Sequence, residues 1–297
     1  MSGYQQHFKE FSELLKIEHS LFALPFAFIG AFMAMDGLGP NEAPTLITML
    51  LIIGAMFFAR TAGMSFNRVL DAKIDKHNPR TADRAIPAGR ISPLLVWAVG
   101  IGSLCGLSLC ALGLNPLAFY LSPLCHILLF TYSLTKRFTW GCHLFLGLVE
   151  AFAPIGGWIA IKGSCHQAEP YLLGLATIFW IGGMDVVYAT QDADYDKGKG
   201  LHSIPSRFGL RKSFLLARAF HLLTVCLLVA TAYFANTGLW FYSGCIVVSA
   251  LFVYQHSLVS PERREKLNFA FFGVNSWIAL TLMLASFMET RVWGFFL

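Results

Sequence analysis

Asn67, Asp71 and Asp75 stand four residues apart, and so do Tyr188, Asp192 and Asp196. Residues at that spacing share one face of a helix, so each ladder presents its carboxylates together. Clustered carboxylates repel and raise one another's pKa unless a cation lies among them. Their natural partner is a hard divalent ion. Magnesium uses few protein oxygens and completes its octahedron with water and phosphate oxygens. Basic residues are interleaved with the ladders: Lys73, Arg80 and Arg84 near the first, Lys197 and Lys199 near the second, and Lys136 and Arg137 between them. Arginine suits bidentate phosphate contact and lysine acts as a point charge. The pattern therefore offers a metal-assisted grip on a diphosphate, with Asn67, Asp71, Asp75, Asp192 and Asp196 around Mg2+.

The elements that carry these residues must lie in a membrane. Of 297 residues, 56% are hydrophobic and only 13% charged, against about 25% charged in a soluble protein. Nine apolar runs approach the roughly 20 residues needed to cross a bilayer core: about 17–36, 46–66, 93–113, 116–134, 141–162, 170–190, 214–235, 238–258 and 267–288. Backbone polar groups in lipid must be satisfied within the segment, so these runs are helices. The expected fold is an all-α, multi-pass membrane bundle of about nine transmembrane helices. Cytoplasmic loops cap the active site, and residues 1–297 form one domain. The first run lacks a small-residue cleavage signature after it and reads as a retained helix.

Orientation follows from the basic residues. With nine spans and a cytoplasmic N-terminus, 18 of the 22 lysines and arginines lie before the first span or in the loops at 67–92, 135–140, 191–213 and 259–266. Lys9 and Lys16 are among them. The opposite side keeps Lys162 and Arg291, while Arg60 and Arg218 fall within spans. This asymmetry places both ladders at the cytoplasmic face of the membrane. Arg207, Arg211, Lys212 and Arg263 to Lys266 serve that topology alone. Ser92-Pro93, Asn115-Pro116 and Ser260-Pro261 each pair a capping residue with proline at a first helical position. A weak internal repeat is visible: Asp71 and Asp192 are 121 residues apart, and Ile86-Pro87 and Ile204-Pro205 are 118 apart.

Other polar residues fall inside spans. Arg60, Asn67 and Asp71 lie nearly on one helical line, which makes Arg60 an anion-binding candidate beneath the carboxylates; snorkelling toward headgroups is the alternative. Glu150 is an intramembrane carboxylate and a functional candidate by position. The seven cysteines contain no Cys-x-x-Cys pair and read as apolar packing residues. Gly156-Gly157 and Gly182-Gly183 read as sites of close helix packing.

These motifs resemble, over essentially the whole length, the UbiA superfamily of intramembrane aromatic prenyltransferases. Its first motif usually reads Asn-Asp-x-x-Asp-x-x-x-Asp; Asn67, Asp71 and Asp75 match, while Arg68 replaces the first aspartate and marks a subgroup. The second motif, Asp-x-x-x-Asp, matches Asp192 and Asp196, preceded by Asp185 and Tyr188-Ala189. Tyr132-x-x-x-Lys136 followed by Arg137 is similar to the third signature, and Arg60-Thr61-Ala62-Gly63 resembles the segment leading into the first.

The resemblance implies magnesium-dependent transfer of a polyprenyl group from polyprenyl diphosphate to an aromatic acid, 4-hydroxybenzoate, in ubiquinone-type quinone biosynthesis. A dihydroxynaphthoate acid in a menaquinone route is the alternative acceptor. By resemblance, Asp71, Asp75, Asp192, Asp196 and Arg137 are catalytic. Lys73, Arg80, Arg84, Tyr132, Lys136, Arg137, Lys197 and Lys199 would hold the diphosphate. Arg60, Asp185, Tyr188 and Glu150 would meet the acceptor. The implied partners are the two substrates and the lipid bilayer, and no nucleic acid is expected. A cation-coupled transporter is the competing class, but transporter sites lie near the midplane and these carboxylates cluster at one mouth.

Overall fold

The structure is a computed structural model that describes residues 17–35 and 44–290. Lys9, Lys16 and Arg291 lie outside the described residues. Among those described, every regular element is helical. The long helices are α1 (Ile17–Ala34), α2 (Leu46–Leu70), α4 (Pro93–Leu114), α5 (Pro116–Thr135), α6 (Cys142–Lys162), α7 (Glu169–Tyr188), α10 (Leu210–Phe234), α11 (Leu239–Leu258) and α12 (Asn275–Glu289). Three short helices, α3 (Ala72–Asp75), α8 (Ala193–Gly198) and α9 (Ile204–Phe208), lie in the connections. Eight of the described helical stretches are long and apolar enough to cross a bilayer, the last being Phe269–Glu289. With α1, this agrees with the nine spans expected.

The helix starts follow their capping residues in two of three places. Ser92 is the N-cap of α4 with Pro93 at its first position, and the Asn115 side chain accepts from the Ala118 amide at 2.9 Å to open α5. Ser260-Pro261 does not start a helix. There the Ser260 hydroxyl accepts from the Arg263 amide at 3.1 Å, closing a local turn that competes with helix.

The last span opens in a wide turn at Phe269–Val274, with π-helical bonding. The carbonyl of Ala270, freed there, accepts from Gln255 Nε2 at 2.7 Å and Asn275 Nδ2 at 3.1 Å. In turn, Trp180 Nε1 donates to Asn275 Oδ1 at 2.8 Å. Buried side-chain amides thus satisfy the backbone groups that the wide turn leaves open.

The chain divides into two compact units. Of the described residues, one holds those up to Leu24 and Met49–Leu134; the other holds those between Pro25 and Thr48 and those from Thr135 to Thr290. The first unit packs Ile86, Ile91 and Val96 against Met64, Val69, Ala72 and Ala85, beneath the first ladder. An aromatic cluster of Phe66, Trp97 and Phe130 adjoins it, with ring centres 5.4–6.1 Å apart. In the second unit, Val186, Val187, Ile204, Phe214, Ala217, Val259, Leu267 and Ala270 form a core around the second ladder. Close helix contact depends on small residues here: a Cβ on Gly147 would strike the backbone of Ile178, and one on Gly157 the carbonyl of Ala27. Gly182 and Gly183 pack closely as well, whereas Gly156 faces open space.

Candidate active site

Neither ladder is one straight helix. α2 ends at Leu70, Asp71 takes φ −91°, ψ 0°, and α3 then carries Asp75. α7 ends at Tyr188, a 3-10 turn follows at Ala189–Gln191, Asp192 takes φ −104°, ψ 7°, and α8 then carries Asp196. Asp71 and Asp192 thus share the sparsely populated bridge conformation, in which many active-site residues are found. After the break, Asp75 N–H donates to Asp71 O and Asp196 N–H to Asp192 O, each at 2.8 Å. Before it, Asp71 N–H donates four residues back to Asn67 O, whereas Asp192 N–H donates three residues back to Ala189 O at 3.1 Å. Each long helix is therefore interrupted at or just before its middle aspartate, and a short helix carrying the next aspartate follows. The repeat goes no further, because Ile86 lies among turns while Ile204 opens α9.

In the first unit, Asn67 Nδ2 donates to Asp71 Oδ2 at 3.0 Å and to Ser133 Oγ at 3.4 Å. Asp75 is buried, and Arg84 Nη1 lies 2.6 Å from its Oδ2. Arg84 is thus engaged by a motif aspartate rather than left to a diphosphate alone. The Thr81 hydroxyl donates to Asp75 O at 3.1 Å, which folds the loop back under the motif. Tyr132 donates its hydroxyl to Gly63 O at 3.1 Å, so this residue ties α5 to α2. Lys73 and Arg80 are exposed. Arg60 is half-buried, and Arg68 is buried in the last turn of α2, where a cation complements the carbonyl end of the helix.

In the second unit, the Asp196 side chain is fully buried, with Lys136 Nζ 2.8 Å from its Oδ1. Burial works against the Lys136 ammonium, but the adjacent Asp196 carboxylate outweighs it and raises the lysine pKa. Burial also pushes the Asp196 carboxyl up, against the pull of Lys136. Neither Asp196 oxygen accepts a well-directed hydrogen bond. Asp192 is buried too, whereas Arg137, Lys197 and Lys199 are exposed. Tyr188 packs on Phe271 at 4.1 Å between ring centres and on Phe272 at 6.0 Å. Glu150 is half-buried within α6.

The fully buried Asp196 carboxylate, paired with Lys136, has the hard oxygen chemistry that fits a magnesium ion. Among the described residues, no three His, Cys, Asp or Glu side chains converge as a complete metal cage.

Three contacts escaped the motif reading. His143 Nδ1 lies 2.7 Å from Asp185 Oδ2, so this carboxylate is engaged inside the protein. Arg264 Nη1 donates to Thr190 O at 2.9 Å, holding the turn before Asp192; Arg264 therefore does more than set topology. Ser133 supports Asn67, as above. His143 carried a usable signal, because it is an ionisable residue within a span, the criterion that singled out Glu150. Arg264 and Ser133 carried none, since their partners are distant in sequence.

The UbiA prenyltransferase family matches residues 23–283. A 4-hydroxybenzoate octaprenyltransferase of Marinobacter nauticus is 31% identical over 280 residues, covering 93% of this chain and 92% of its own. Its namesake from Aeromonas hydrophila is 31% identical over 245 residues, covering 82% and 83%. Among solved structures, the apo structure of a UbiA homolog from Aeropyrum pernix K1 aligns with TM-score 0.82 at 28% identity, over 92% of this chain and 98% of that one. A UbiA homolog from Archaeoglobus fulgidus bound to GPP and Mg2+ aligns with TM-score 0.70 at 19% identity, over 94% and 99%, and shares the fold.

Proposed function

Since the chain belongs to the UbiA prenyltransferase family and is a membrane prenyltransferase, we propose that it transfers a polyprenyl group from polyprenyl diphosphate to 4-hydroxybenzoate, with magnesium, in a ubiquinone-type pathway. Family membership sets aside the transporter reading. The acceptor follows the names of the two relatives at 31% identity. The magnesium and diphosphate follow the A. fulgidus homologue and the donor set here. The observation that carries the reading is the shared break at Asp71 and Asp192, each followed one turn later by a buried aspartate.

Asn67, Asp71, Asp75, Asp192 and Asp196 would hold the metal, which when bound neutralises diphosphate charge and eases departure of the leaving group. Arg137, Lys197 and Lys199 are exposed cations for the phosphate oxygens, joined by Lys73 and Arg80. Lys136 is placed to exchange its contact with Asp196 for diphosphate as the substrate enters. These charges favour ionisation of the allylic C–O bond because they face the atoms on which negative charge develops. An electron-rich ring carbon of the acceptor then attacks the allylic carbon, and loss of the ring proton restores aromaticity. Arg60 and Glu150 would meet the acceptor, Arg60 through its carboxylate, and the apolar helices would shield the cation from water. The Tyr188 ring, backed by Phe271, offers a π face to cationic charge. The whole chain serves as one catalytic domain, with its N-terminus and both motifs on the cytoplasmic side of the inner membrane, as the basic loops indicate.

The test is turnover by purified full-length protein given magnesium, a polyprenyl diphosphate and an acceptor panel, read as prenylated product and released pyrophosphate. Asp71→Ala and Asp192→Ala should each lower kcat by about 10²–10³, the scale for losing one organised electrostatic group. Arg60→Ala should erase a preference for carboxylated phenols. Unchanged turnover in both aspartate variants would overturn the site. Product formed only from a dihydroxynaphthoate acid would overturn the acceptor.

A further inference from the structure

His143 is 2% exposed, at the start of α6, and makes two hydrogen bonds that bracket the second aspartate motif. On one side, Nδ1 meets Asp185 Oδ2 at 2.7 Å, seven residues before Asp192 on the helix that leads into the motif. On the other, Nε2 accepts from the Ile204 amide at 3.2 Å, eight residues beyond Asp196, where the chain returns. The two bonds together determine the tautomer. An amide N–H can only donate, so Nε2 carries the lone pair; Nδ1 therefore carries the proton and donates to Asp185.

The returning segment has further ties to the same place. Leu201 N–H donates to Asp196 O at 2.9 Å, and His202 N–H donates to Lys136 O at 2.8 Å. The Cys142 thiol lies 3.5 Å from His202 O. Ser203 then caps α9 through a reciprocal pair with Ser206. Residues 201–204 are thus fastened in turn to the backbone of Asp196, to the backbone of Lys136 and to the imidazole of His143. The first two anchors carry the side chains of the buried Lys136–Asp196 pair. The imidazole is the only side chain in this series that reaches both the incoming helix and the outgoing segment.

We infer that His143 is a positioning residue for the diphosphate end of the reaction, locking the second aspartate motif between Asp185 and Ile204. Asp185 then acts by orienting this imidazole and not by binding the aromatic acceptor. The inference rests on the prenyl-transfer reading above. A second shell of this kind commonly governs metal affinity: removing a group that orients a ligand costs about 10- to 100-fold in affinity or activity.

The experiment uses full-length protein in detergent or nanodiscs, with separate titrations of magnesium, polyprenyl diphosphate and 4-hydroxybenzoate. His143→Gln places an amide oxygen near the Nε2 position, where it can still accept from Ile204. His143→Asn places its amide near Nδ1 and serves only Asp185. His143→Ala serves neither. The expected result is a rise of about 10- to 100-fold in the magnesium requirement and in KM for the prenyl diphosphate for His143→Ala and His143→Asn. KM for 4-hydroxybenzoate should stay within about twofold of wild type. His143→Gln should recover most of the loss. Asp185→Ala, which releases Nδ1–H, should raise the magnesium requirement and KM for the prenyl diphosphate while KM for 4-hydroxybenzoate stays within about twofold. Equal rises in both KM values, or a raised acceptor KM in Asp185→Ala, would overturn the inference. So would His143→Gln and His143→Asn losing thermal stability equally with unchanged KM values. Wild-type protein that turns over without magnesium or prenyl diphosphate would instead refute the reading beneath it.

Discussion

Replacing Lys136 with methionine isolates a charge that the fold has taken out of water. The Asp196 side chain is 0% exposed and Lys136 Nζ is 2.8 Å away. Removing one partner of a buried pair costs about 3–5 kcal/mol, because the remaining charge is uncompensated. The lysine side chain is 35% exposed, so solvent screening brings the expected loss down to about 2–3 kcal/mol. Asp196→Asn leaves only a partly exposed ammonium that can turn to water, at a cost of about 1 kcal/mol. The double variant removes both charges and should be more stable than Lys136→Met alone. The assay is thermal unfolding of the detergent-purified protein across pH.

The pH dependence of that loss has a definite sign. In Lys136→Met the Asp196 carboxyl keeps the burial that raises its pKa and loses the lysine that lowers it. The variant's deficit should be absent where the carboxyl is protonated in both folded and unfolded states. It should grow as pH rises through the ordinary carboxylate range and on to the raised folded value. In wild type, the raised Lys136 pKa means that its stabilising charge persists below the ordinary lysine range and is lost only as pH rises through the raised value. A deficit in Lys136→Met that is independent of pH, or no larger than that of Asp196→Asn, would refute this account of the pair.

Two further outcomes are expected elsewhere. Gly147→Val should lower folded yield sharply, since its Cβ would strike the Ile178 backbone, while Gly156→Ala, facing open space, should be within about 0.5 kcal/mol of wild type; comparable yields of monodisperse protein would remove the packing argument. Arg264→Ala should lower kcat about 10-fold, on the scale of lost positioning contacts, by releasing the Thr190 carbonyl in the turn before Asp192; Arg264→Lys, which keeps one donor, should recover part of it, and a variant with wild-type kcat would show that the turn stands without this tie.

Most of the architecture was legible because lipid leaves few choices. A run of some 20 apolar residues has one way to satisfy its backbone, so the helices lie where their hydrophobicity placed them. The proline at 93 and the Asn115-Pro116 step mark starts for the same local reason. Ser260-Pro261 misled because the same serine chemistry that opens helices also closes turns, and the Arg263 amide took the hydroxyl. Four-residue spacing put the aspartates of each ladder at helical intervals. It could not reveal the interruptions at Asp71 and Asp192, because the interval between side chains does not report where helical bonding changes.

The site was legible as a set of residue types and only partly as roles. Asn67, Asp71, Asp75, Asp192 and Asp196 announce themselves by identity and interval, as do the bases around them. Arg84, Tyr132 and Asp185 carry the right chemistry for a ligand, yet the protein itself engages them through Asp75, Gly63 and His143. Such assignments depend on which side chains meet across long stretches of sequence.

By itself, then, the sequence determined a membrane helical chain with two aspartate ladders and the class of chemistry they allow. These are properties of composition and of intervals within a few turns of one helix. Only the tertiary structure decided that Asp196 is buried against Lys136, that one imidazole spans the second motif, and that a distant arginine braces its turn. Those contacts join residues 42 to 74 positions apart. They exist because helix packing brings the ends of separate segments together, where each buried polar group must find its partner.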